Sequence, residues 1–130
     1  MESRLNQLSS EIISAAIEVH RILGPGLLEN SYQTALAHEL KLRRMEILRE
    51  VSLPVSYKGL EIRDAYRIDL VVNNTIILEL KAVQEVLPIH KAQLLTYIRL
   101  AQKPLGLLLN FHAPLLRDGI SRLINKSLSS

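Results

Sequence analysis

The sequence predicts an α/β sandwich: one mixed sheet flanked by helices. Three observations predict it. Apolar residues recur at a helical period through the first third of the chain, give way to alternation and unbroken apolar runs, and return to a helical period before one more apolar run. Glycine, proline and asparagine signals separate these segments. The length, 130 residues, is that of one ordinary domain, expected to span residues 1–130. Aromatic residues make up only 4% of the chain against 48% hydrophobic residues in all, so aliphatic side chains must form most of the core.

The elements follow in order. Leu5, Leu8, Ile12, Ala16, Val19 and Leu23 fall on one stripe and predict a helix from about Leu5 to Leu23. Gly24-Pro25-Gly26 ends it, because glycine suits a left-handed cap and proline cannot continue the turn. A second helix is expected from about Leu28 to Arg44, with Tyr32, Leu36 and Leu40 inward. From Ile47 the period becomes two: Val51, Leu53, Val55 and Tyr57 alternate with Ser52, Pro54 and Ser56. Pro54 makes this an edge strand or a bulged one. Lys58-Gly59 reads as a turn. Tyr66 to Val72 and Thr75 to Val83 are two strands around Asn73-Asn74, a pair that tolerates positive φ and so favours a hairpin. Pro88 suits the first turn of a helix running to about Gln102. Leu105 to Phe111 reads as a buried strand and Leu115 to Ile124 as a short closing helix. The order is helix, helix, three antiparallel strands, helix, strand, helix. The helix between the third and fourth strands is long enough for a parallel crossover.

Several classes of chemistry drop out. Without cysteine there is no disulfide, thiolate metal site or cysteine nucleophile. No G-x-S-x-G elbow and no phosphate-cradling P-loop is present. The four histidines show no close ligand pairing that would suggest zinc. No signal pattern opens the chain, and no apolar stretch approaches the roughly 18 residues that a membrane span needs. A soluble, cytoplasmic protein is therefore expected, with no membrane partner. The net charge of +3 and the pI near 9.4 permit contact with polyanions, but the basic residues are dispersed as on an ordinary mixed surface.

The informative residues are carboxylates inside strongly apolar strands. Asp69 stands among Ile68, Leu70, Val71 and Val72; Glu79 follows Ile76-Ile77-Leu78. A buried carboxylate needs a cation, a metal or water, or it stays neutral. Lys81, two residues beyond Glu79, shares its face of the strand, which alone could be a structural pair at a strand end. Asp69 on the neighbouring strand allows two acids and an ammonium to converge, a set of hard oxygen donors suited to Mg²⁺ or Mn²⁺. The register decides this. A two-residue turn pairing Val72 with Thr75 puts Asp69 and Glu79 on opposite faces. An odd-length loop pairing Val72 with Ile76, or a bulge, puts them directly opposite each other on one face, and one of these is expected.

Other candidates lie on the helices. Glu29 heads the apolar stripe of the second helix, where a first-turn acid also complements the helix dipole. His90, Gln93 and Tyr97 share a face of the third predicted helix. Gln93 could reach the end of the sheet, whereas packing at the helix boundary explains His90 and Tyr97. His20, near the end of the first helix, is expected to serve structure.

These residues form a familiar pattern. Gly26-Leu27-Leu28-Glu29-Asn30-Ser31-Tyr32 reads G-x-x-E-x-x-Y. Asp69, then Glu79-Leu80-Lys81, then Gln93 and Tyr97 follow the PD-(D/E)XK nuclease layout. The chain resembles the small bacterial and archaeal GxxExxY proteins of that superfamily over nearly its whole length, including Glu18-Val19-His20 and Leu23-Gly24-Pro25-Gly26. Ile68 stands where the motif's proline would precede the acid, a position at which the superfamily varies. The resemblance implies a restriction-endonuclease-like αβββαβ core: a four-stranded mixed sheet flanked by helices, with an extra helix at the N-terminus. It implies a nuclease that hydrolyses phosphodiester bonds of nucleic acid, with DNA as the expected partner. Mg²⁺ or Mn²⁺ would be held by Asp69, Glu79 and the Leu80 carbonyl. Glu29 would be the acid of the first motif, Lys81 would orient the attacking water, and Gln93, Tyr32, His90 and Tyr97 would assist. The rival expectations are a non-catalytic nucleic-acid-binding domain that keeps the fold, and an interaction protein. A homodimer or a protein partner would suit a chain with so little surface for choosing a sequence.

Overall fold

The structure, a computed structural model, describes residues 2–128. Helix α1 (Glu2–Leu23) buries Ile12, Ala16 and Val19 along the expected stripe. It stops at Gly24, whose φ of 70° lets its N–H reach back to the His20 carbonyl at 2.8 Å, a left-handed cap that a side chain would strain. Helix α2 (Glu29–Leu42) buries Tyr32, Leu36 and Leu40. Strands β1 (Ile47–Tyr57), β2 (Leu60–Val72) and β3 (Ile76–Lys81) form an antiparallel meander. Helix α3 (Pro88–Leu100) then carries the chain to β4 (Leu105–Asn110), which lies parallel to β3.

The sheet order is β1-β2-β3-β4-β5, five strands rather than the expected four. The addition lies in Leu115–Ile124, expected to be a helix. A single 3₁₀ turn, Leu116–Gly119, leads instead into β5 (Ile120–Ile124), antiparallel to β4. Every residue of β4 is buried, so an uncovered β4 edge would leave a row of backbone groups without partners. Gly119 permits the turn: a Cβ there would lie 2.6 Å from the Asn110 carbonyl oxygen.

Two cores flank the sheet. Helices α1 and α2 pack on Leu70, Val72, Ile76, Leu78, Leu80, Leu107 and Leu109. Helix α3 packs Leu94 and Ile98 on Tyr66, Ile68, Val71, Ile77 and Leu108. Pro54 meets both expectations placed on it, because β1 is an edge strand and its register shifts between Leu53 and Val55. Among the described residues no helix is long and apolar enough to cross a membrane.

Candidate active site

The site begins with the hairpin joining β2 to β3. Asn73 and Asn74 take φ of 49° and 52°, and the Thr75 N–H donates to the Val72 carbonyl at 2.9 Å. Thr75 becomes a third loop residue, and the first paired rung is Val72 with Ile76. This odd-length loop is one of the two arrangements that place Asp69 opposite Glu79.

Regular pairing ends just before the acids. Val72, Val71 and Leu70 pair with Ile76, Ile77 and Leu78. At the next rung the carboxylates take over the backbone donors. The Asp69 N–H donates to Glu79 Oε1 at 3.2 Å, and the Leu80 N–H donates to Asp69 Oδ2 at 2.8 Å. Each acid is thus tied to the other strand by one oxygen. Among the described residues no fully buried side-chain polar atom lacks a hydrogen-bond partner. The second oxygens make no hydrogen bond inside the protein and so are not fully buried.

Burial sets the charge state. It pushes the Asp69 carboxyl up to about 6, with the charges of Glu29 and Glu50 adding to the rise; the Leu80 N–H and Lys81 oppose it. Glu79, only 7% exposed, is pushed up to about 8 by burial and then by the Asp69 charge, against the Asp69 N–H and Lys81. At neutral pH Asp69 is therefore largely ionised, whereas Glu79, desolvated and repelled by that charge, holds a proton that a cation would displace. Lys81 acts on both without a close ion pair. The salt bridges among the described residues are Arg21–Glu18, Arg43–Glu39 and Arg63–Glu61.

The other candidates divide. Glu29 is the first residue of α2 and exposed, and its charge reaches both acids. Tyr97 is half-buried; burial and the charges of Glu79 and Asp69 raise its hydroxyl. Gln93 is exposed, one turn before Tyr97 on α3. Tyr32 and His90 are engaged elsewhere. The buried Tyr32 stacks on Phe111 at 4.6 Å, donates to the Gly24 carbonyl and accepts the Leu27 N–H at 3.0 Å, pinning the glycine loop before Glu29. His90 Nδ1 accepts the Leu87 N–H at 3.0 Å and caps α3. His20 is structural: its Nε2–H donates to the Ala113 carbonyl at 2.7 Å, which assigns the tautomer.

Two neighbours were not singled out from the sequence. Tyr66 stacks on Tyr97 with centroids 4.8 Å apart, an aromatic wall beside the acids. Glu50 on β1 stands opposite Asp69, between the rungs Arg49–Leu70 and Val51–Ile68. Its signal, an acid in an otherwise alternating strand, was present, but the β1–β2 register is interrupted at Pro54 and could not be read in advance.

The donor set fits a divalent ion. Asp69 and Glu79 each offer a hard oxygen with no partner inside the protein, in a site where negative charge is otherwise unfavourable. Among the described residues no group of three or more histidine, aspartate or glutamate side chains is arranged to hold a metal. A pair of acids is a small donor set, of the kind that Mg²⁺ accepts because it keeps several waters. Helix α2, the β1–β3 meander, the α3 crossover and β4, with acids where β2 and β3 part, are consistent with a nuclease fold. The chain belongs to the PD-(D/E)XK nuclease superfamily, which it matches over residues 6–123. No curated protein and no solved structure matches it significantly. The membership points to nuclease-type function on nucleic acid, in a superfamily that usually uses divalent metals.

Proposed function

We propose that the chain is a Mg²⁺- or Mn²⁺-dependent nuclease of the GxxExxY type, a single domain that hydrolyses phosphodiester bonds of DNA. The observation that carries this reading is the Asp69–Glu79 rung. Each carboxylate is fixed to the opposing backbone by one oxygen and leaves the other without a partner inside the protein, at a position where both are kept from ionising freely. Asp69 and Glu79 would hold the ion, with the Leu80 carbonyl and water completing its shell. A bound ion would acidify a water and polarise a phosphoryl oxygen. Lys81 orients that water and offsets charge on the phosphorane-like transition state. Glu29, at the N-terminus of α2, adds a third acid on the approach, and Gln93 and Tyr97 border the substrate on the α3 side. No covalent intermediate is needed: a water oxygen would bond to phosphorus and give up a proton to solvent, while the P–O bond to the leaving sugar oxygen breaks and that oxygen takes a proton from solvent, giving a phosphomonoester and an alcohol.

The test is Mn²⁺-dependent cleavage of single- and double-stranded DNA and of RNA, wild type against Asp69→Ala. Cleavage by the wild type alone supports the reading. Salt-dependent binding without cleavage would instead show a nucleic-acid-binding domain that keeps the fold.

A further inference from the structure

Glu50 has a backbone unlike those around it. Its φ is 54°, a left-handed conformation unfavourable for a residue with a Cβ. The other non-glycine residues with positive φ, among those described, are Arg44, Lys58, Asp64, Asn73, Asn74 and Gln102. Lys58, Asn73 and Asn74 lie in turns, Arg44 and Gln102 follow helix ends, and Asp64 lies where the β1–β2 register shifts. Glu50 stands inside a strand, between rungs that keep one unbroken register: Arg49–Leu70 on one side and Val51–Ile68 on the other.

The consequence is visible in which core each residue joins. Residues two apart on a regular strand share a face. On β1, Ile47 packs on the α1–α2 side, and Arg49 bonds Gln33 and Thr34 of α2. Val51, Leu53 and Val55 pack on the α3 side. On β2, Leu70 and Val72 join the α1–α2 core, whereas Tyr66 and Ile68 join the α3 core. Both strands therefore change face at the same rung, which is Glu50 opposite Asp69. That rung is also where Asp69 leaves regular pairing with β3 and its carboxylate receives the Leu80 N–H.

We propose that Glu50 is a positioning residue of the acid pair: its left-handed backbone turns the β1–β2 ribbon over and thereby sets the Asp69 carboxylate against the backbone of β3. The inference deepens the nuclease reading and rests on it for its functional meaning, but its structural content can be tested without metal. Glu50→Gly and Glu50→Asn both remove the charge and accept a positive φ. Glu50→Thr removes the charge equally and resists that conformation. The measurement is hydrogen exchange of the Leu80 amide, with the Leu78 amide, in the regular part of β3, as reference. Protection of Leu80 is expected to persist in the glycine and asparagine variants and to fall on the order of tenfold in the threonine variant, with Leu78 unchanged. Equal Leu80 protection in the asparagine and threonine variants would overturn the proposal.

Should threonine also expose Leu78, the glycine variant decides. Leu80 protection at or above the wild-type level supports a backbone role, and a loss overturns it. Mn²⁺ titration of the same proteins separates the two ideas. A wild type that binds no Mn²⁺ removes the metal reading and leaves the exchange result to judge Glu50. With binding in the wild type, affinity should survive in the glycine and asparagine variants and fall in the threonine variant.

Discussion

The β2–β3 pair has two unlike ends. Next to the hairpin, three rungs of aliphatic residues pair regularly and are fully buried or nearly so. One rung further, Asp69 and Glu79 replace backbone acceptors with carboxylates, at the cost of desolvating two like charges. The same pair of strands is thus optimised for stability at one end and strained electrostatically at the other. That separation is expected where a rigid scaffold carries a site that is complete only when a ligand joins it.

Substitutions should divide in the same way. Asp69→Ala and Glu79→Ala are expected to reduce Mn²⁺ binding and Mn²⁺-dependent cleavage to background while the protein stays folded, as read by calorimetric titration and circular dichroism. Leu78→Ala, at the closed end, should cost about 2–5 kcal/mol of stability through the cavity it leaves. The protein that remains folded should keep its metal affinity. Loss of stability in the aspartate variant as large as in the leucine variant would break the division.

The open end should also resist its own charge. Glu79→Gln keeps an acceptor for the Asp69 N–H and removes the buried charge. It is therefore expected to stabilise the metal-free protein at pH 8 by on the order of 1–2 kcal/mol, in denaturant titrations, while abolishing metal binding. A neutral or destabilising effect would mean that the carboxylate is well solvated.

The pH dependence has a defined sign. Both acids titrate higher in the folded chain than in the unfolded one. Their contribution to stability is complete below their unfolded values near 4 and is lost as the pH rises through about 6 for Asp69 and about 8 for Glu79. A bound divalent ion reverses this, because it favours the charged forms. The rise in melting temperature on adding Mg²⁺ should accordingly be greater at pH 8 than at pH 5. An equal rise at both values would place the ion elsewhere.

The aliphatic end of this comparison was legible in the sequence, and the acid end only in part. Helical stripes, the Gly24 stop, Pro88 and the apolar runs located α1 to α3 and β1 to β4 because each is a local pattern. Asp69 and Glu79 stood out as charges in apolar runs. Their meeting depended on one loop residue, Thr75, whose side of the turn no local pattern fixes. β5 was missed for a similar reason: Ile120–Ile124 is short, and what makes it a strand is the open edge of β4. Glu50 escaped because its partner is set by a register that passes a bulge at Pro54. Tyr32 carries a further lesson, since the tyrosine of a motif that suggests chemistry is buried and bonded to a loop.

That role of Tyr32 gives the smallest expected effect and the most specific one. Tyr32→Phe preserves the ring stacked on Phe111 and removes only the hydroxyl, which bridges the Gly24 carbonyl and the Leu27 N–H. The core is untouched, so the loss should be about 1–2 kcal/mol, the range for a part-buried hydrogen-bonded group. The loosened segment is the one that delivers Glu29 to the acid pair. Faster exchange of the Leu27 amide, together with a weaker influence of Glu29→Gln on the Asp69 titration than in the wild-type background, would show that the glycine and tyrosine of the motif act by holding the glutamate in place. An unchanged Leu27 amide would leave Glu29 positioned by α2 alone, and the tyrosine would then matter only through its ring.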